Sequence, residues 1–506
     1  MHTVRFLLKT SNTDERIIEK RFHAISHIHN VLVKHAKKLI KKLENDREYQ
    51  LLHDEYAVLL KKDRLTKEEN ARRKEISKEM TDIRIKMGLS EYSFQSYIKV
   101  CAGQFRKCLS SQQIQKEATR VWKSVSDYLF GKGKAVHFKK FRDFDTIGGK
   151  SNTNGVKFDK DTLSVSWIGL HIKCKLPCRD KDRRYILDSL ADEISYCEIK
   201  RLMFPNGWHY YVIVYLKGDA PKKLNPDKKR GTMGVDIGTS TVAAVSEDMV
   251  MLKELAPMCQ KYNTQIEALY IKMDASKRAV NPGKYNSDGT INRANKDKWV
   301  YSKTYCRYRD RLKSLYRQKS EYIKQSHERM CNILIGNSKY FIAEAMTFKG
   351  LQKRAKKTER SLTKSTIKVK DGSFKQIYKY RKKKRFGRSL NNRAPAKFIT
   401  ILERKAEQYG GKLYKVNTKS FKASQYDHIS DTYRKVSLSS RSKTVGGQYV
   451  QRDLYSAYLL KNSKDTLECA DREKCIEGFE SFIGMQNEMI EKMKTEGISN
   501  RACFGF

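Results

Sequence analysis

The sequence predicts an α+β multidomain protein: a helical module inserted in a small β-barrel, then an α/β domain carrying a basic insertion. Three patterns predict it. Apolar residues recur at helical spacing through residues 11–133, alternate at period two from 134 to 222, and then form short buried runs between amphipathic helices. At 506 residues the chain can bury a substantial core without a disulfide or metal staple.

Residues 3–9 alternate as a strand. Residues 12–15 cap a helix with acids in its first turn, and Ile18, Phe22, Ile25, Ile28, Leu32, Ala36, Leu39 and Leu43 follow on one face. A second helix runs to residue 63, and a third opens on the capping box of Thr66 and Glu69 and stops at Gly88. Two more begin near Ser90 and Ser111, the last turning Val121, Trp122, Val125, Tyr128 and Leu129 to the bundle core before Gly131. Val156, Phe158, Leu163, Val165 and Trp167 are strand positions, and a hairpin turns at Asn206-Gly207. The N-terminal strand is expected to complete their barrel, so that residues 1–10 and 134–222 enclose a helical module at 11–133. Within the segment HFKKFRDF, Phe138 and Phe141 alternate with Lys139, Lys140 and Arg142, as on a surface that tracks a phosphate backbone and stacks bases.

After a basic linker (217–230), residues 234–246, GVDIGTSTVAAVS, read as a buried strand delivering Asp236, a tight turn at Gly238 and a second strand over 241–245. A carboxylate on a central strand is costly to bury unless a metal ion or a phosphate is bound beside it. The stretch suits the first hairpin of a ribonuclease H-like nuclease, and equally the phosphate loop of a sugar-kinase-like ATPase. A helix over 257–279, a Gly/Asn/Asp-rich loop and a long amphipathic helix to 334 lead to a strand at 340–343 that ends in Glu344.

Residues 353–388 hold 16 Lys or Arg against two acids, Glu359 and Asp371, and such a run is expected to stay disordered unless a polyanion holds it. Its candidate nucleic-acid contacts are Lys353, Arg354, Lys356 and Lys357, and the run Arg381, Lys382, Lys383, Lys384 and Arg385. A helix (394–409), a strand (412–416) and a polar stretch to 447 follow. Asp453 then opens a helix, and a last amphipathic helix (476–493) ends in a tail, SNRACFGF, expected to be exposed.

The 105 Lys and Arg against 57 Asp and Glu leave a net charge of +48, which repels itself and calls for a polyanionic partner, nucleic acid before an anionic membrane surface. No apolar run is long enough to cross a membrane and the N-terminus is too short for a signal peptide, so a cytoplasmic, nucleoid-associated protein is expected. The 11 cysteines show neither a disulfide framework nor zinc-ribbon spacing and read as small apolar residues. The charge, and the lack of a second phosphate-loop turn or a Gly-rich adenosine loop, weigh against the kinase.

Asp236, Glu344 and Asp453 are the candidate catalytic and metal-ligating residues. They lie 108 and 109 residues apart, so only a fold could unite them. Three converging carboxylates repel unless divalent cations bridge them, which is what two-metal phosphodiester cleavage requires. Oxygen-only ligands favour two Mg2+ or Mn2+ ions over zinc.

The segments GVDIGTSTVAAVS, FIAEAMTFKGLQKRAK, KKKRFGRSLNNRAPAKF, KASQYDH and VQRDLYSAYLL, in this order and spacing, resemble the TnpB-related proteins, a transposon-encoded group whose RuvC nuclease domain is also the core of compact type V CRISPR effectors. The resemblance is strong over residues 231–470; before them only the layout is similar to that family's wedge and recognition domains. It implies a wedge-like barrel, a recognition module, and a ribonuclease H-like RuvC domain at 223–420 and 448–506. The implied activity is RNA-guided DNA cleavage. The implied partners are target DNA and a guide RNA, taken from a transposon end or a CRISPR array, with or without a second scaffold RNA. Pairing would read the sequence, while the protein reads backbone shape and a short flanking motif. Asp236, Glu344 and Asp453 match the family's three RuvC acids, and Arg441, in SLSSRS, falls where the family often places an arginine near the scissile phosphate. The chain departs from the family in lacking the four-cysteine ribbon: residues 422–452 contain no cysteine, and Ser424 to His428 stand at the first knuckle. Residues 421–447 are therefore expected to form a degenerate target-loading element with no bound zinc. A guide-directed DNA-binding protein with little or no cleavage, and a DNA transposase, are the alternative functions.

Overall fold

The computed structural model describes residues 1–62, 65–222, 231–352, 360–368, 373–380, 387–435, 437, 440–498 and 504–505. The chain divides into two compact units, Met1–Pro221 and Lys222–Phe506. Among the described residues, no helix is long and apolar enough to cross a membrane.

The first unit opens with β1 (His2–Leu8) and α1 (Asn12–Glu44). Ser11 caps α1: its hydroxyl accepts the Asp14 N–H at 3.1 Å, and the Asp14 carboxylate accepts the Ser11 N–H at 2.9 Å. The cap thus sits one residue before the segment expected to supply it, because the hydroxyl reaches the third helical N–H. Helices α2 (Arg47–Leu60), α3 (Lys67–Lys86), α4 (Glu91–Cys101) and α5 (Ser111–Leu129) follow. Next come β2 (Thr146–Gly148), β3 (Val156–Asp159), β4 (Ser164–Trp167), β5 (Leu170–Lys175), α6 (Asp180–Ser189), β6 (Ile194–Phe204) and β7 (Gly207–Leu216). The seven strands form one sheet ordered β2-β6-β7-β1-β5-β4-β3. The chain's first strand is therefore central, with Phe6 stacked on Phe158 of β3 at 5.1 Å, and the apolar faces of α1 and α5 share its core.

The expected barrel does not close. Among the described residues β2 and β3 end the sheet. The free edge of β3 is satisfied locally: the Asn152 side chain accepts from Phe158 N–H at 2.8 Å and donates to the Phe158 carbonyl at 3.1 Å. Its Oδ1 also accepts the Cys197 thiol of β6 at 3.3 Å. A side-chain amide thus stands where a backbone ladder would be needed for closure.

The second unit contains β8 (Thr232–Ile237), β9 (Thr241–Val245), β10 (Val250–Glu254), α7 (Cys259–Ala279), α8 (Lys303–Asn337) and β11 (Tyr340–Glu344). Then come α9 (Phe348–Gln352), β12 (Arg360–Lys368), β13 (Phe374–Tyr380), α10 (Gly387–Arg393), α11 (Pro395–Gln408), β14 (Lys412–Val416) and α12 (Thr418–Phe421). Two small hairpins, β15 (Tyr426–Asp427) with β16 (Thr432–Tyr433) and β17 (Ser442–Val445) with β18 (Gln448–Gln451), precede α13 (Arg452–Lys461), α14 (Arg472–Glu477) and α15 (Phe479–Thr495).

The principal sheet is ordered β10-β9-β8-β11-β14, an antiparallel meander continued by two parallel strands. Period-two alternation gives it two apolar faces. Met233, Val235, Ala244, Phe341 and Ala343 pack with Leu334 of α8 and Phe398 of α11. Ala243, Val245, Ile342 and Val416 pack with Leu454, Ala457 and Tyr458 of α13.

Two expectations change here. The basic segment 353–388 contains a folded part, the antiparallel pair β12–β13, in register from Lys364↔Tyr378 to Lys368↔Phe374. Thr366, Ile367, Phe374, Ile377 and Tyr378 favour strand despite the charge, and the Lys364 ammonium lies 5.6 Å from the centre of the Tyr378 ring. The C-terminal tail is not wholly exposed: Phe504 is buried against α13 and α15, because its ring completes their apolar cluster. Five of the described cysteines are buried, whereas Cys101 and Cys178 are exposed.

Candidate active site

Asp236 lies near the end of β8 and Glu344 is the last residue of β11. The parallel register pairs Ile342 with Gly234 and Ala343 with Val235, so the next step sets Glu344 beside Asp236. Register-paired residues on neighbouring parallel strands project to one face, their backbones about 4.8 Å apart. That face also carries Gly234 and Ile342, and it is the one α13 covers.

Gly234 sets how closely α13 approaches. A Cβ there would stand 1.9 Å from the Ala457 carbonyl oxygen and 2.4 Å from the Lys461 amide nitrogen, so helix backbone rests directly on strand backbone. Asp453 lies one turn before Ala457, in the first turn of α13, and is 7% exposed. Gln451 caps that turn, accepting the Leu454 N–H at 2.8 Å; it is held in turn by Gln486, whose side-chain oxygen accepts the Gln451 N–H at 2.9 Å.

The electrostatics follow from this convergence. Burial first, then the Asp453 and Glu344 charges, push the Asp236 carboxyl well above the usual range; Arg452 and the Ile237 N–H oppose the shift. Burial also raises Glu344, against a hydrogen bond from the Ala423 N–H. Asp453 is tied to two arginines: Arg452 donates Nε and Nη2 to its Oδ1 at 3.2 and 3.0 Å, and Arg441 Nη1 stands 3.5 Å from its Oδ2. Among the described residues no three His, Cys, Asp or Glu side chains are gathered closely enough to hold one metal ion together. The three carboxylates present an oxygen-only donor set, the chemistry of hard divalent cations.

Two contributors escaped the sequence reading. Arg452, the main partner of Asp453, was adjacent to it in QRDLY but hidden in a strongly basic chain. Gly234 carried a signal, since a glycine inside an apolar strand marks close backbone approach.

His428, where a degenerate target-loading element is expected, is held by a buried network. His428 is fully buried, and burial lowers its imidazole to about 4. The Tyr455 hydroxyl accepts its backbone N–H at 3.2 Å and bonds its Nδ1 at 2.7 Å, while Arg472 Nε donates to its carbonyl at 2.9 Å. Lys443, lowered to about 8 by burial, lies 4.1 Å from the centre of the Tyr455 ring and donates to the Tyr426 carbonyl at 2.9 Å.

Of the basic candidates, Lys139, Lys140 and Arg142 are exposed in the first unit. Asn30 clamps the backbone of Lys139, donating to its carbonyl at 2.9 Å and accepting its N–H at 3.0 Å. Phe138 is 54% exposed, but Phe141 is used internally: its ring stacks on His23 at 3.5 Å and lies 4.4 Å from the guanidinium of buried Arg201. The expected pair of stacking rings is thus reduced to Phe138, because Arg201 needs aromatic cover. Lys353, Arg354, Lys356, Lys357, Arg381, Lys382, Lys383, Lys384 and Arg385 lie outside the described residues.

No family model matches the chain, and no curated protein matches it. Among solved structures it is similar to a cryo-EM structure of a Cas12f1–sgRNA–target DNA complex, with 12% identity and a TM-score of 0.42 over 90% of this chain and 87% of that one. It is also similar to a cryo-EM structure of a CRISPR–Cas12f ternary complex, with 11% identity and a TM-score of 0.22 over 90% and 86% of the two chains.

Proposed function

We propose that the protein is an RNA-guided DNA endonuclease of the TnpB-related, RuvC type, with Asp236, Glu344 and Asp453 as its catalytic acids. The observation that carries this reading is their placement on one sheet face, Asp236 beside Glu344 by register and Asp453 brought over them by α13 resting on Gly234. The meander-plus-two-parallel-strands order is that expected of a ribonuclease H-like domain. Burial, with Asp453 and Glu344 nearby, raises the Asp236 carboxyl, and strongly perturbed acids of this kind cluster at functional sites.

The oxygen-only set of Asp236, Glu344 and Asp453 suits Mg2+ or Mn2+, and these three residues would hold two such ions. Bound there, such ions would supply an activated water and charge stabilisation at the leaving oxygen. The chain's own residues do the positioning: β8 and β11 fix two acids on rigid strands, and α13 fixes the third. Arg441, whose Nη1 stands 3.5 Å from Asp453 Oδ2, is the proposed contact for a phosphate oxygen. Target DNA and a guide RNA are the proposed partners, the same two classes held in the Cas12f1 complex. The +48 charge suits both, with Lys139, Lys140 and Arg142 among the contacts.

A second reading, guided DNA binding with little cleavage, is favoured by one observation: Asp453 is paired with Arg452 and Arg441, which compete with a cation for it. One experiment separates the two. The protein is purified from cells carrying its native locus, the co-purifying RNA is sequenced, and the wild type and Asp236→Ala are assayed on DNA matching that RNA. Cleavage by the wild type, lost in Asp236→Ala with RNA and target binding intact, supports the nuclease. Equal cutting by both would refute the assignment, and binding without cutting by the wild type would favour the second reading.

A further inference from the structure

We infer that Arg452 is a positioning residue that holds Asp453 by one oxygen, turns the other toward Arg441 and any metal ion, and ties Ser437, Ser440 and Arg441 beside it. This rests on the nuclease reading above. The guanidinium is used twice over. Its Nε and Nη2 both donate to Asp453 Oδ1, at 3.2 and 3.0 Å, which leaves Oδ2 to face Arg441 Nη1 at 3.5 Å. Its Nη1 donates to the carbonyl oxygen of Ser440 at 2.8 Å and lies 3.5 Å from that of Ser437. The Arg452 backbone N–H donates to the Arg441 carbonyl at 2.9 Å. One residue therefore ties the first turn of α13 to Ser437, Ser440 and Arg441, and the same tie brings Arg441 Nη1 to 3.5 Å from Asp453 Oδ2.

The C-terminal tail closes this arrangement from the other side. Gln451 Nε2 donates to the Phe504 carbonyl at 3.5 Å, and a Cβ on Gly505 would stand 2.8 Å from Arg441 Cβ. Arg452 is only 12% exposed at its side chain, so its charge is felt at the acids with little screening. It opposes the raised Asp236 carboxyl, and it competes with any cation for Asp453. Holding the loop and weakening cation binding are opposite effects of one side chain, which makes them separable.

A lysine could keep the charge but not the fork: a single ammonium cannot hold Oδ1 and the Ser440 carbonyl in the same geometry. Glutamine removes the charge and keeps much of the volume. The test uses the protein with its co-purified RNA. It measures Mn2+ binding by electron paramagnetic resonance, cleavage of matched DNA against Mg2+ concentration, RNA binding and thermal unfolding.

Arg452→Gln is expected to bind Mn2+ about threefold to tenfold more tightly, since one nearby like charge is removed. Its cleavage at saturating metal should fall on the order of 100-fold, since Asp453 and Arg441 lose their mutual placement. Arg452→Lys is expected to keep the wild-type Mn2+ affinity and share the loss of rate. RNA binding should not change in either. A merely structural role would lower the melting temperature and the active fraction without tightening Mn2+ binding, and that result would overturn the inference. So would Arg452→Gln with wild-type metal affinity and rate. Asp453→Ala in the same assays keeps the two levels distinct. Loss of both Mn2+ binding and cleavage there, with Arg452→Gln indistinguishable from wild type, overturns only the role of Arg452. A wild type that neither binds Mn2+ nor cuts overturns the nuclease reading itself.

Discussion

Replacing Gly234 with alanine tests the site's geometry through a single methyl group. The added Cβ would meet the Ala457 carbonyl oxygen at 1.9 Å, where ordinary contact begins at 3.4 Å, so α13 must recede by 3.4 − 1.9, or 1.5 Å. Both clashing atoms, Ala457 O and Lys461 N, are helix backbone, and no rotamer change relieves them. Overpacking of this kind costs roughly 3 kcal/mol or more. In a unit of this size that lowers the melting temperature by roughly 6–12 °C. The same recession carries Asp453 away from Asp236 by more than an ångström, which should slow cleavage on the order of 100-fold beyond any loss of folded protein. Thermal unfolding and single-turnover cleavage at a temperature where the variant is folded separate the two effects. Gly336→Ala is the control: its Cβ meets nothing within 4 Å on helix α8, and it should stabilise by up to about 1 kcal/mol. A Gly234→Ala protein that melts and cuts like the wild type would refute the docking of α13 on β8 and, with it, the placement of Asp453.

Asp236→Asn should abolish cleavage yet stabilise the metal-free protein by roughly 1 kcal/mol, because it removes a buried carboxylate repelled by two others. Since the folded carboxyl is raised, wild-type stability in EDTA should decline as pH rises through its folded value. The asparagine variant should lack that decline, and melting curves in EDTA across pH check both. His428 acts in the opposite pH window. Its imidazole is lowered to about 4 from an ordinary 6.5, so its contribution is complete above 6.5 and is lost as pH falls toward 4, up to about 3 kcal/mol. Tyr455→Phe, which removes the two hydrogen bonds that Tyr455 makes to His428, should cost about 1–3 kcal/mol in denaturant titrations at pH 7. For the exposed pair on the first unit, Lys139→Ala with Lys140→Ala should reduce the slope of log affinity against log salt by about 0.7–0.9 for each phosphate no longer neutralised. An unchanged slope in RNA-binding titrations would remove both residues from the interface.

The sequence by itself located the elements and singled out three candidate acids. Helical periodicity located α1 to α5, the Asn206-Gly207 turn located β6 and β7, and the apolar runs around Asp236 and Glu344 located β8, β9 and β11. These are local properties: a 3.6-residue or two-residue period, a cap and a turn are set within a few residues. Even the 108-residue spacing between Asp236 and Glu344 equals the register offset of β11 on β8, although a spacing does not become a pairing until the strands meet. Tertiary structure decided what depends on distant partners. Whether the first sheet closes rests on Asn152 filling a strand edge, and whether Phe141 is free to stack rests on Arg201. Whether the tail is buried rests on Phe504 joining an apolar cluster with residues of α13 and α15, and how Asp453 is held rests on an arginine fork that also binds Ser440. None of these has a period or a motif, because each depends on side chains whose meeting is set by packing and not by their order along the chain.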